Sequence, residues 1–99
     1  MRVEKETEES LMIKLEGKIF KANIVVASAT VVELDDTGSY VKDLQRAFLR
    51  LCKDLDIEIP MWMKKNTNEF ARFRQTVFYE EQFMRKYSFD RFQIKELKE

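Results

Sequence analysis

The sequence predicts a small single α+β domain: an antiparallel sheet of a long N-terminal hairpin plus a C-terminal strand, with one long and two short helices. Three observations carry this. Leu11, Ile13, Leu15 and Ile19 alternate with Lys14, Glu16 and Lys18 at period two, which is a strand with one wet face. Val41, Leu44, Phe48, Leu51, Cys52 and Leu55 recur at helical spacing, with Lys42, Asp43, Arg46, Arg50 and Lys53 expected on the opposite side. Phe92 and Ile94 alternate with Gln93 and Lys95, a closing strand. The 99 residues suffice for one domain and fall short of two.

Each element follows in order. Residues 1–10 hold four acidic and two basic side chains and almost no apolar ones, and are expected to form a flexible acidic tail ahead of a domain over 11–99. The segment has no apolar core of the kind a secretory signal carries. Ile24 to Leu34, rich in valine and threonine, reads as the second strand. Two turns could join the strands. A two-residue turn at Glu16-Gly17 would set Leu15 against Lys18. A three-residue turn at Lys21-Ala22-Asn23 pairs Gly17 with Ala27, Leu15 with Ala29 and Ile13 with Val31, apolar against apolar. The second is preferred, with Asn23 supplying the left-handed conformation such a turn needs.

Asp35-Asp36-Thr37-Gly38-Ser39 is a cluster of turn and N-cap residues ahead of the long helix, and Pro60 forbids its continuation. Asn66-Thr67-Asn68-Glu69 fits a capping box with Asn66 as the cap, starting a short helix with Phe70 and Phe73 on one side. Thr76 to Phe78 reads as extended, and Glu80 to Tyr87 as a third helix.

Function is less legible than fold. The net charge is zero, but by segment it runs −2 over 1–10, +1 over 11–34, −2 over 35–60 and +3 over 61–99. Nine of the twelve aromatic residues also follow Pro60, so an acidic, aliphatic middle precedes a basic, aromatic end. The chain has no histidine, which removes the commonest general base and the commonest metal ligand. Its single cysteine excludes an internal disulfide and a Cys/His zinc site. Cys52 falls on the apolar face of the long helix as a small hydrophobe. Gly17 and Gly38, the two glycines, are too far apart for a phosphate-cradling loop. Asp35-Asp36 and Glu80-Glu81 stand at helix starts, where dipole and capping roles explain them. No catalytic, cofactor-binding or metal-ligating residue is therefore assigned, and a non-enzymatic protein-interaction or structural module is expected.

Two surfaces are candidates for that role. Trp62, Lys64, Lys65, Arg72 and Arg74 interleave cations with rings, as single-stranded nucleic-acid binding requires. The preferred alternative has the rings in the core, since so small a domain needs them there. The second face of the hairpin would carry Met12, Phe20, Val26, Val32 and Leu34, too much apolar surface for a monomer. Either a helix or a second subunit must cover it, so a homodimer is expected, with nucleic acid the less favoured partner. No apolar run approaches the ~20 residues of a membrane span, and the free thiol suits a reducing cytoplasm.

Pro60-Met61-Trp62-Met63, Asn66 with Glu69-Phe70, Thr76 with Phe78, Phe83, Phe89-Asp90 and Ile94 together carry a resemblance. In these residues, and in the order of hairpin, acidic linker and long helix, most of 11–97 resembles a family of short bacterial proteins of clostridial type with no assigned activity. The resemblance implies a bacterial cytoplasmic protein and adds no catalytic residue.

Overall fold

The computed structural model describes residues 12–34 and 38–97. The expected tail, Leu11 and the aspartates at 35 and 36 lie outside them. Four strands form one antiparallel sheet: β1 (Met12–Lys21), β2 (Ile24–Leu34), β3 (Gln75–Tyr79) and β4 (Arg91–Leu97), in the order β2-β1-β4-β3. Two helices, α1 (Tyr40–Asp54) and α2 (Lys64–Phe73), and a single 3₁₀ turn at Glu80–Gln82 complete the domain. The α+β class and the closing strand are as expected. The sheet gains a fourth strand, because Gln75–Tyr79 pairs with β4.

The alternation of β1 does what its period implies. Ile13, Leu15, Gly17 and Ile19 are buried on one face, and on that face lie Ala27, Ala29 and Val31 of β2, Phe92 and Ile94 of β4, and Thr76 and Phe78 of β3. Both helices pack there. Ala47, Phe48, Leu51 and Cys52 of α1 and Phe70 of α2 complete the core. Gly17 is where α1 comes closest: a Cβ on it would stand 2.8 Å from Leu51 Cδ2 and 2.9 Å from Phe92 Cε1.

The hairpin register departs from expectation by two residues. Lys21 pairs with Ile24 across a two-residue turn, and Ala22 and Asn23 both take positive φ, 52° and 67°, as a type I′ turn requires. A bulge between Ile19 and Phe20 then moves the ladder, so Gly17 faces Ala29 and Leu15 faces Val31. From Ala27 onward a slip of two leaves each side chain on its expected face, which is why the core composition survives the error; nearer the turn the shift is a single residue, Phe20 pairing with Val25.

Further expectations are corrected. Asp43, placed on the wet side of α1, is fully buried, and Arg46 Nη2 stands 3.5 Å from its Oδ1. Val41, placed on the dry side, is 65% exposed. Helix α2 starts three residues early, at Lys64, with Met63 as its N-cap. Asn66 is therefore the third helical residue, its Oδ1 accepting from the Met63 amide at 2.9 Å, and Phe73 faces solvent. The expected helix over 80–87 is only the 3₁₀ turn. Beyond it Phe83, Tyr87 and Phe89 pack on one another with centroids 4.8 to 5.6 Å apart, while Met84 is 96% exposed.

Candidate functional site

The helix side of the domain carries a cleft of about 560 Å³ between α1 and α2. Its floor is aromatic. Trp62 meets Phe48 edge-on at 5.5 Å, Phe70 at 6.1 Å and Phe78 at 5.4 Å, and its Nε1 donates to Thr67 Oγ1 at 2.8 Å. Tyr40, Val41, Leu44, Leu49 and Ile59 form the walls. Helix α1 ends before Pro60, in a turn where Asp56 takes φ 57° and the Ile57 amide donates to the Cys52 carbonyl at 3.0 Å; the chain then returns through Pro60 and sets Trp62 against Phe48.

Arg74 stands at the mouth. It ends α2 in the left-handed conformation (φ 58°), which turns the chain directly into β3. Its Nη1 donates to the Tyr40 hydroxyl at 3.2 Å and lies 3.9 Å from Glu96 Oε1, which accepts from that same hydroxyl. Burial, reinforced by the carboxylate of Glu96, pushes the Tyr40 phenol well above its ordinary value and keeps it neutral. Arg74 and Tyr40 are the titratable residues lining the cleft, so the lining offers an apolar bed and one satisfied guanidinium, with no nucleophile beside a base.

The five basic and aromatic candidates do not converge. Trp62 and Arg74 line the cleft; Lys64, Lys65 and Arg72 do not. Lys65 and Arg72, seven residues apart, share an exposed side of α2, and the Lys65 ammonium lies 4.7 Å from the Tyr79 ring centroid. Trp62 spends its ring on the aromatic floor.

On the other side neither helix crosses the sheet, and among the described residues the face is open. Met12 (44% exposed), Val32 (42%) and Leu34 (49%) gather at one end, beside Leu97. At the other end Val26 is exposed, whereas Phe20 is half-buried beneath the Arg91 guanidinium, 4.2 Å from its ring. Between these ends the face is polar, with Lys14, Glu16 and Lys18 of β1 beside Ser28, Thr30, Gln93 and Lys95. The expected apolar face is thus two apolar ends separated by a charged centre.

Sequence reasoning missed a buried polar cluster. Asn66, fully buried, donates through Nδ2 to Thr76 Oγ1 (2.8 Å) and the Val77 carbonyl (3.1 Å), and accepts from Gln82 Nε2 (2.9 Å). Gln82 also donates to the Met61 carbonyl, and Thr76 donates to Glu69. The signal was the asparagine before an apolar helix, which marks a helix start without saying what its amide group reaches.

Among the described residues no three His, Cys, Asp or Glu side chains are grouped to hold a metal ion, and no helix is long and apolar enough to cross a membrane. Comparison with known protein families, curated proteins and solved structures gives no match.

Proposed function

We propose that this chain is a non-enzymatic protein-interaction module that associates with itself. The observation that carries the reading is the exposed aliphatic surface of the hairpin's outer strand, where Ile24, Val25, Val26, Val32 and Leu34 of β2 stand outside any core the described residues provide. The chemistry agrees. The chain has no histidine, and the Cys52 thiol is buried and pushed up to about 12 by desolvation, far from a reactive thiolate. A reducing, bacterial cytoplasm suits such a thiol, and kinship with the short clostridial-type proteins that share the Pro60–Met63 and Phe89-Asp90 elements belongs to the same reading.

Sedimentation equilibrium from about 1 to 100 µM tests it, a range that brackets the ~µM affinity of weak specific interfaces. A dimer is expected, and a strict monomer throughout that range overturns the reading. The competing reading, nucleic-acid binding by Trp62 with Lys64, Lys65, Arg72 and Arg74, requires a free indole face. With that ring set against Phe48, Phe70 and Phe78, Trp62 fluorescence is expected to stay constant on titration with single-stranded oligonucleotide at low and at moderate salt.

A further inference from the structure

Strand β2 lies at the edge of the sheet, and among the described residues its outer backbone is covered at one end only. Arg46 Nη2 donates to the Leu34 carbonyl at 2.6 Å and Arg50 Nη1 to the Val32 carbonyl at 3.0 Å. Both guanidiniums are anchored on Glu33, at 3.1 and 2.7 Å. These bonds also fix which backbone groups face outward: the carbonyls of Leu34 and Val32 do, so by strand alternation the N–H and C=O of Thr30 and Ser28 do as well. Among the described residues no strand flanks them.

Natural edges of this length carry charges, a proline or a covering element. Here Ile24 to Val32 contains neither charge nor proline, and the arginine cover stops at Val32. The segment is also symmetric in kind about Ser28. Ala27 matches Ala29, Val26 matches Thr30 in shape, Val25 matches Val31, and Ile24 matches Val32. A strand that pairs with its own copy about a two-fold axis opposes these positions, regularly from Ala27 to Ala29; the bulge at Val26, the extra residue between the Ile19–Ala27 and Phe20–Val25 pairs, interrupts the alternation beyond them. Only like would meet like: small beside small at the centre, β-branched beside β-branched outward, with no charge facing another.

We propose that two copies of this chain join by antiparallel pairing of β2 with β2 about a two-fold axis at Ser28, merging two four-stranded sheets into one of eight. The inference rests on the self-association reading above and assigns its surface. It places the contact at the edge rather than on the open face because that face is charged through its middle, at Lys14, Glu16, Lys18 and Lys95. Packing two such faces together would strip water from those charges, whereas edge pairing leaves them wet. The outward groups of Ser28 would then exchange two hydrogen bonds with the partner's Ser28.

The experiment uses the full chain and three variants. Thr30→Pro removes one outward N–H without touching the ladder to β1; Ser28→Lys sets like charges face to face on the axis. Ser28→Cys brings two thiols together at a Cα separation of about 5.5 Å, within disulfide range. Thr30→Cys is the control, its two copies lying more than ~13 Å apart in the proposed register. The expected result is a wild-type dimer whose dissociation constant weakens at least tenfold in both Thr30→Pro and Ser28→Lys, at unchanged far-UV circular dichroism. Mild oxidation should give a covalent dimer of Ser28→Cys and none of Thr30→Cys. A wild-type dimer that keeps its affinity in Ser28→Lys, with no covalent Ser28→Cys dimer, overturns the edge and leaves self-association through another surface. A wild-type monomer overturns both.

Discussion

Gly17 shows how one missing methyl group sets the depth of the core. Its neighbours in the sheet are Ala29 and Ile94, and above it lies Leu51, itself fully buried. Because Leu51 and Phe92 have no room to retreat, Gly17→Ala is expected to destabilise the fold by about 1–3 kcal/mol, the usual cost of overpacking, read by urea denaturation. Cys52 makes the opposite kind of statement. Its thiol is held neutral in the fold, with a pKa raised from 9.0 to about 12 by desolvation. The fold thus favours the protonated form, so the stabilisation is complete below the unfolded thiol's value. It is lost as pH climbs from about 9 toward about 12. Stability should therefore fall over that window, less steeply in Cys52→Ala. Native protein at pH 7 should resist maleimide until unfolded.

The elements differ in how openly the sequence announced them. Strand β1 was legible because one face is dry along its whole length, and α1 because its stripe of Leu44, Phe48, Leu51, Cys52 and Leu55 spans about three turns. The hairpin register was not, since it depends on a bulge at Ile19/Phe20 and on Ala22 accepting positive φ, neither of which local preference favours. The helix expected at 80–87 failed because Phe83, Tyr87 and Phe89 gain more by stacking on one another than a short helix gains by its hydrogen bonds. Glu58 reinforces that outcome by accepting the amides of Met84 and Arg85, which a helix would have used. Helix α2 depends on its buried asparagine, through which it grips both β3 and the 3₁₀ turn. Asn66→Leu should leave Thr76 and Gln82 without that partner and cost about 2–4 kcal/mol, an orphaned buried group costing ~1–3 by itself. Ser39→Ala, which removes the α1 cap bond from Lys42 N at 3.3 Å, should cost only about 1 kcal/mol.

At the scale of the molecule, the aromatic end of the chain supplies much of the core. Trp62, Phe70, Phe78 and Phe92 build the core against α1, and the neighbouring cations are dispersed or engaged at the surface. The candidate basic surface was therefore visible in composition but not in space. The aliphatic hairpin surface was visible in both, although its charged middle emerges only when β1 and β4 are laid side by side. A dimer formed through that hairpin ties stability to mass action, so the melting temperature should rise with protein concentration. A monomer would melt at one temperature throughout.

The strand order has a consequence in time. β4, at residues 91–97, lies between β1 and β3, so among the described residues β1 gains its second neighbour and β3 its one neighbour from the strand that comes latest in this order of synthesis. Until then the nascent hairpin shows two bare edges, and Phe78 has no Phe92 to meet. Folding must therefore wait for nearly the whole described chain, and a fragment ending at Asp90 should remain unfolded and sticky rather than form a smaller version of the domain.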